Sequence, residues 1–294
     1  MFDIACVGDI AVDYISTIAD FPQKNSNADV IEFSRSFGGS AANTAIMCAQ
    51  LGAKTTIQAC IGADFPDEYI ERLKKLNLHN DLYRSEHNTT SAFLFSNGEE
   101  QLTFFYRGAA EDVKIIEPNE RILKSKIIHI SRDFTDIAKK IIKKSNAKIS
   151  FNPGYGLDEI EDSELGHILK YTDILFINQH EEKYLTELFG TADIRELGPD
   201  IVVSTSGSKG CKIMSNSEII TVGAVPADLV DPTGAGDSFA AGFLTGLVKD
   251  YPLEKCAQIG SAVASVTVGS RSTHPGISFD DVINRVKGHY KNVN

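Results

Sequence analysis

The most informative stretch of the chain is Asp231-Pro232-Thr233-Gly234-Ala235-Gly236-Asp237-Ser238-Phe239-Ala240-Ala241-Gly242-Phe243. It has the form of a glycine-rich loop that runs into the first turn of a helix. Gly234 and Gly236 tolerate a positive φ and let a ligand approach the main chain. The amides before Asp237 would lie near a helix N-terminus, whose unpaired N–H groups and partial positive charge bind phosphate oxygens. A carboxylate there repels phosphate unless it has a task, and Asp237 is suited to take a proton from an attacking hydroxyl.

The same stretch also has a purely structural interpretation, in which small residues pack a helix against its neighbour. The residues that would form that face are Ala240, Ala241, Gly242 and Gly246. The full D-x-T-G-A-G-D string is more specific than an isolated G-x-G and favours catalysis. No G-K-[ST] follows, so this is not a Walker loop, and no third small residue completes a dinucleotide fingerprint.

Composition limits the classes of partner. The chain has 294 residues, enough for one large α/β domain or two ordinary ones, and a formal net charge of -11. That charge argues against nucleic acid and anionic membranes as partners. The five scattered cysteines form no C-x-x-C pair, which argues against zinc and a disulfide framework. Without a signal segment or a membrane-spanning apolar run, we expect a cytoplasmic protein.

Short apolar strands alternate with helices along most of the chain. Phe2 to Gly8, Thr55 to Gly62 and the segments IIHIS, KISFN and ILFIN predict buried parallel strands, and the intervening helices predict cover on both faces. Segments 14–37 and 89–107 differ, because they carry β-branched and aromatic residues and a hairpin signal at Asn97-Gly98. The sequence therefore predicts an α/β fold with a small second sheet.

Polar groups and glycines follow the first predicted strands. Asp13 stands near the end of the first strand, where open α/β sheets bind ligands, although an acidic residue in such a turn is often only a turn former. Gly38 and Gly39 let the backbone approach a ligand, and Asn43 lies one turn into the next helix. We interpret this pattern as a substrate site, with a helix cap and a small-residue helix face as the alternative.

Six strings of the chain resemble those of the ribokinase-like (PfkB) carbohydrate and nucleoside kinases, and particularly the archaeal broad-specificity nucleoside kinases. They are GDIAVDY, FGGSAANTA, QLTFFYRGAA, IIHISRD, FINQHEE and DPTGAGDSFAAGF. The resemblance implies a ribokinase-like three-layer αβα sandwich with a mainly parallel central sheet. It also implies one kinase domain, residues 1–294, with a β-sheet lid from segments 14–37 and 89–107. The implied reaction is phosphoryl transfer from ATP to a sugar hydroxyl with Mg²⁺, and the need for a monovalent cation stays open.

The resemblance also assigns roles to residues. Asp237 is the catalytic base, and the amides of Gly234, Ala235 and Gly236 form the anion hole. The substrate-binding residues are Asp13, Gly38, Gly39, Asn43 and Asp237. The nucleotide-binding residues are Asn178, Thr205, Gly207, Gly210, Thr233, Gly234 and Gly236. Glu181, in an N-x-x-E pattern with Asn178, would hold Mg²⁺ through water. On composition alone, this pattern is only a polar helix start.

Two departures from the family pattern bear on the substrate. Asn152 stands where relatives often have an Asp, which puts a supporting role for Mg²⁺ there in doubt. Ala11 stands where ribokinases have an Asn, which disfavours free ribose. The hairpin offers four aromatic rings on which a base could stack, although at least half of them are expected to form only the lid's own core. These rings are Phe93, Phe95, Phe104 and Tyr106.

The leading hypothesis is therefore an ATP-dependent kinase for the 5′-hydroxyl of ribonucleosides. The alternative is a ribokinase or another sugar or sugar-phosphate kinase, and the cations that could hold a substrate phosphate are Arg35, Arg107 and Arg132. A non-catalytic binding protein would have lost Asp237 or its flanking glycines, and this chain keeps them. The exposed edges and outer face of the lid predict a homodimer joined through the lids.

Overall fold

The structure is a computed structural model that describes residues 1–132, 134–154 and 156–290. The strands are β1 (Ile4–Val7), β2 (Ala11–Ile18), β3 (Val30–Gly38), β4 (Thr55–Ile61), β5 (His79–Arg84), β6 (Ser91–Ser96), β7 (Gln101–Tyr106), β8 (Ile127–Ser131), β9 (Lys148–Asn152), β10 (Ile174–Asn178), β11 (Ile201–Thr205), β12 (Cys211–Ser215) and β13 (Ile219–Val222). The helices are α1 (Ser40–Gln50), α2 (Asp67–Lys75), α3 (Glu120–Leu123), α4 (Thr135–Lys144), α5 (Asp162–Lys170), α6 (Gln179–Phe189), α7 (Ala235–Val248), α8 (Leu253–Val268) and α9 (Phe279–His289).

A nine-stranded sheet forms the centre of the fold. Its order is β13-β12-β11-β10-β9-β8-β1-β4-β5, parallel except for the antiparallel β12 and β13 at one edge. Side chains alternate along a strand, so Ile4 and Cys6 enter one hydrophobic cluster and Ala5 and Val7 enter the other. The first cluster includes residues of α1, α2, α7, α8 and α9, and the second those of α3 to α6. The predicted three-layer αβα sandwich is confirmed.

The predicted small sheet is confirmed as well. Its order is β3-β2-β6-β7, with β6 and β7 joined through the turn at Asn97-Gly98, where Gly98 has a φ of 90°. We call this sheet the lid. One face of the lid turns toward the carboxyl ends of the large sheet. The other face, which we call the outer face, exposes apolar side chains that include Phe33 and Phe104.

The edge strand β5 has no counterpart in the sequence-based prediction. β5 pairs in parallel with β4 at the edge of the large sheet. Its sequence, HNDLYR, is polar and partly exposed, so it lacks both the apolar run of a buried strand and clear alternation. Edge strands carry such polar residues because a polar edge resists pairing with other chains.

Candidate active site

A cleft of about 520 Å³ lies between the carboxyl ends of the parallel strands, the lid and the beginning of α7. It brings together most of the predicted site residues. Those that line it are Asp13, Gly39, Asn43, Asn178, Glu181, Thr205, Thr233, Gly234, Ala235, Gly236 and Asp237. Three predicted residues, Gly38, Gly207 and Gly210, are not among the residues that line it.

The motif loop turns sharply into α7. The backbone N–H of Thr233 donates to Asp231 Oδ1 at 2.8 Å, and the helix follows Gly234, whose φ of 75° favours glycine. A side chain at Gly234 would also crowd Thr273, because a Cβ there would lie 3.3 Å from its side chain. A Cβ at Gly236 would meet no atom within 4 Å, so this amide borders open space in the cleft. The Ala235 N–H donates to the Pro232 carbonyl oxygen at 3.1 Å, and the neighbouring N–H groups of the loop lie at a helix N-terminus, an arrangement that binds anions.

Two side chains of α1 hold the Asp237 carboxylate. Ser40 Oγ donates to Oδ1 at 2.6 Å, and Asn43 Nδ2 donates to Oδ2 at 2.8 Å. Burial raises the pKa of Asp237 to about 6, while these two hydrogen bonds act in the opposite direction. The carboxylate is therefore fixed in orientation and ionised near neutral pH, as a general base requires.

Asp13 lies on β2 with its carboxylate against the end of β3. Burial and the neighbouring Asp9, Asp231 and Asp237 carboxylates raise the pKa of Asp13 to about 7. Gly38 leaves the space that this carboxylate occupies, because a Cβ there would lie 2.1 Å from Asp13 Oδ2. Gly39 has a φ of 93°, and a Cβ there would lie 2.8 Å from the carbonyl oxygen of Asp9.

The predicted nucleotide-binding residues follow β10 and β11. Asn178 and Glu181 form a capping box at the start of α6, in which Asn178 Oδ1 accepts from the His180 and Glu181 N–H groups. Thr205 lines the cleft at the end of β11. Gly210 has a packing role instead, because a Cβ there would lie 2.0 Å from the carbonyl oxygen of Val222. Gly207, with a φ of 54°, forms the tight turn between β11 and β12.

Residues 1–279 match the family model of the pfkB family carbohydrate kinases. The chain belongs to this family. It is 35% identical to a nucleoside kinase of Methanocaldococcus jannaschii, with 98% of each chain covered, and 33% identical to a nucleoside kinase of Methanothermobacter thermautotrophicus, with 94% and 92% covered. The crystal structure of the M. jannaschii enzyme, an archaeal member of the ribokinase family, superposes with a TM-score of 0.93 over 98% of this chain and 99% of that chain. The chain is thus a PfkB kinase of nucleosides or sugars, a phosphotransferase that acts on a hydroxyl group.

The lid of this PfkB kinase presents a different aromatic ring to the cleft from those predicted. Phe93, Phe95, Phe104 and Tyr106 are not among the residues that line the cleft. Phe93 stacks on Tyr14 and Phe95 contacts Phe104, so these rings pack on the outer face. Among the described residues, the lid ring that lines the cleft is Phe105, together with Ala92, Leu94 and Thr103 of the lid. The prediction that these four rings face the substrate was therefore wrong in its residues, because a neighbouring ring of β7 lines the cleft instead.

Three further residues of the cleft were missed or only partly identified from the sequence. Ser40 was missed, although it follows the predicted Gly38-Gly39 pair directly. Asp9 is buried at the end of β1, where its Oδ1 accepts from the Ala41 N–H at 3.3 Å. Arg132 was considered only as a ligand for a substrate phosphate, and of the three arginines considered it alone lines the described cleft. Asp133, which ends the IIHISRD string, lies outside the described residues.

The cleft offers few side chains for a metal ion. Within the described ranges, no group of three or more His, Cys, Asp or Glu side chains is arranged to hold one. Glu181 Oε2 accepts from the Asn178 N–H at 2.8 Å, whereas Oε1 accepts from none of the described residues. Burial raises the pKa of Glu181, so a nearby cation would favour its ionised form. A single buried carboxylate fits Mg²⁺, which keeps several waters when it binds to proteins.

The structural interpretation of the motif stretch is compatible with the catalytic one, because the two concern different turns of α7. A Cβ at Gly242 would lie 2.9 Å from Gly260 Cα, and one at Gly246 would lie 3.0 Å from Cys256 Sγ. The small residues of α7 therefore permit its close packing on α8, while its first turn carries the site.

Among the described residues, no helix is long and apolar enough to cross a membrane.

Proposed function

We propose that this protein transfers the γ-phosphoryl group of ATP to the 5′-hydroxyl of ribonucleosides. In this proposal Asp13, Gly39 and Asn43 hold the ribose, and Asp237 accepts the proton of the 5′-hydroxyl. The amides of Gly234, Ala235 and Gly236 meet the charge that develops on the phosphoryl oxygens. The hydrogen bonds from Ser40 and Asn43 support the role of Asp237, because a fixed base spends no free energy on reorientation during the reaction.

The observation that carries the nucleoside proposal is a row of residues across the lid. Asp13 pairs with Ala92 in the next strand, and Ala92 pairs with Phe105 in the strand after that. All three line the cleft, and adjacent strands lie about 4.8 Å apart. A ribose held by Asp13 would reach the small Ala92, and a base attached to it would extend to the ring of Phe105. Flat bases stack on aromatic rings, whereas free ribose gains nothing from this surface.

In the nucleotide half of the cleft, Asn178, Thr205 and Thr233 would contact ATP, and the turn that contains Gly207 and Gly210 would shape its border. Glu181 would hold Mg²⁺ through water. When bound, Mg²⁺ would neutralise charge on the phosphates of the nucleotide. The position of the Glu181 carboxylate on the lining of the cleft supports this assignment.

Three further assignments belong to the same proposal. The chain works as one kinase domain, residues 1–294, with the lid inserted in the α/β core. It works in the cytoplasm and forms a homodimer through the lids. The apolar outer face supports the dimer, because Phe33 is 64% and Phe104 58% exposed, and contiguous exposed apolar surface commonly marks an interface.

Competitive turnover tests the substrate. We expect kcat/KM for at least one of inosine, adenosine, guanosine and cytidine to exceed that for ribose by about 10²-fold, or roughly 2.7 kcal/mol of transition-state binding. If ribose or a sugar phosphate is the better substrate, the alternative of a sugar or sugar-phosphate kinase replaces this proposal.

A further inference from the structure

Arg132 has an unusual backbone conformation at the end of β8. Its φ of 59° lies in the left-handed region, where residues other than glycine are uncommon. Its backbone N–H donates to the Asn152 carbonyl oxygen at 2.7 Å, which fixes this conformation against β9. The turn directs the side chain into the cleft. Such conformations cluster at functional sites, where the surrounding structure maintains them.

The guanidinium of Arg132 has little of its hydrogen-bonding capacity satisfied. An arginine carries five N–H donors. Among the described residues, its one side-chain hydrogen bond is to Asp9 Oδ2, at 3.4 Å from Nη1. Charge-assisted bonds between arginine and carboxylate are usually about 2.7–2.9 Å long. Arg132 Nε is buried and has no hydrogen-bond partner in the part of the chain that the structure describes. A structural ion pair would be tighter than this, so the group is better explained by a ligand with acceptor atoms.

The position of Arg132 indicates which part of the substrate it meets. Its Cζ lies 5.6 Å from the ring centroid of Phe105, the last residue of the row Asp13–Ala92–Phe105. In the proposed function, this end of the row receives the base. The anion hole of the proposed function, Gly234 to Gly236, belongs to a different element that lines the same cleft, the start of α7.

We infer that Arg132 is a specificity-determining residue that donates hydrogen bonds to the substrate base, and this inference rests on the proposed function. The fork of an arginine matches two neighbouring acceptors, such as O6 and N7 of a 6-oxopurine. Adenine places an amino donor beside N7 and offers no such pair. The site therefore favours 6-oxopurine nucleosides, such as inosine and guanosine, over adenosine.

Two substitutions and one control test this role. Arg132→Met keeps an unbranched stem against Phe105 and removes every donor. Arg132→Lys keeps the charge and loses the fork. Arg35→Met is the matched control, because Arg35 pairs with Glu68 and does not line the cleft. For each variant, kcat/KM is measured with inosine, adenosine and ribose, and the Kd of inosine is measured without ATP.

We expect Arg132→Met to lower kcat/KM with inosine by about 10- to 100-fold. This factor corresponds to the free energy of one hydrogen bond to a charged group. The Kd of inosine should rise by a similar factor, because a contact with the base exists before the reaction. Adenosine and ribose should change by no more than about threefold, since neither presents the acceptor pair. Arg132→Lys should lose most of the preference for inosine over adenosine, and Arg35→Met none of it.

A uniform loss of kcat with every acceptor, ribose included, and an unchanged Kd for inosine would overturn the inference and assign Arg132 to the phosphoryl group. Equal losses with inosine and adenosine would overturn it as well. A wild-type enzyme that prefers ribose to every nucleoside would instead contradict the proposed function itself. A wild-type enzyme that prefers nucleosides while Arg132→Met changes nothing would contradict only the role of Arg132.

Discussion

The hydroxyl of Ser40 should set the pH range in which Asp237 works. Ser40→Ala removes the donor that lies 2.6 Å from Asp237 Oδ1 and leaves the hydrogen bond from Asn43 and the positive charge of Arg132 to stabilise the carboxylate. A hydrogen bond to a charged group contributes about 1.5–3 kcal/mol, and one pKa unit corresponds to about 1.4 kcal/mol. We therefore expect the pKa of Asp237 to rise from about 6 by roughly one to two further units.

The assay is the pH profile of kcat/KM, whose acid limb reports the base of the free enzyme. A general base works in its ionised form, so a higher pKa moves the acid limb to higher pH. In Ser40→Ala we expect the loss to reach roughly 10- to 100-fold near pH 5 and to vanish near pH 9. Burial and neighbouring carboxylates, Asp237 among them, raise the pKa of Asp13 to about 7 in the same cleft. The acid limb therefore reports the joint titration of Asp13 and Asp237. The shift between variant and wild type is the quantity to compare.

Ser238→Ala provides the matched control for this measurement. Ser238 follows Asp237 in α7, but its Oγ accepts from Thr267 Oγ1 at 2.8 Å. Its loss should leave the acid limb in place. An unshifted limb in Ser40→Ala, a shift to lower pH, or an equal loss at every pH would refute the reasoning about Asp237.

Three other predictions concern the base, the sugar site and the lid. Asp237→Asn should lower kcat by about 10²-fold or more and largely keep nucleotide binding, and near-normal turnover would remove Asp237 from its role. Gly38→Ala places a Cβ 2.1 Å from Asp13 Oδ2 and should lower the free energy of unfolding by about 1–3 kcal/mol. The control is Gly236→Ala, whose Cβ meets no atom within 4 Å, and it should unfold at the same temperature as the wild type. Light scattering should find a dimer at micromolar concentration and a monomer in Phe104→Glu, and a fully active wild-type monomer would contradict the lid interface.

The layers of the fold could be predicted because their signals are local. Apolar strands that alternate with amphipathic helices determine a covered parallel sheet, and Asn97-Gly98 determines a hairpin. β5 could not be predicted in this way, because its HNDLYR sequence belongs to a strand only through pairing with β4. Such pairing depends on tertiary contacts, which no short window of sequence contains.

The candidate site also has residues with a local sequence signal and residues whose role depends on tertiary contacts. Asp237 and its glycines carry a motif, but one of the two partners of Asp237 on α1, Ser40, lies 197 positions away. Ser40 is part of the FGGSAANTA string, which does not indicate that its hydroxyl meets Asp237. The lid aromatics show a second limit. The sequence predicts that side chains alternate between the two faces of β7. Which of them face the cleft depends on the pairing of Asp13 with Ala92 and of Ala92 with Phe105. A change of one residue in phase moves every side chain to the other face.

The charges of the cleft bear on the alternative that the acceptor is a sugar phosphate. Asp9, Asp13 and Asp237 bring three carboxylates to the substrate half of the cleft, and Arg132 is already drawn toward Asp9. Arg35 pairs with Glu68 and Arg107 with Glu111, and neither arginine lines the described cleft. A phosphate on the acceptor would therefore meet several negative groups and the one cationic side chain that lines the described cleft, and like charges in a partly buried site repel strongly. In the proposed function the phosphates of ATP face main-chain N–H groups instead, and the charges of the cleft favour an uncharged acceptor.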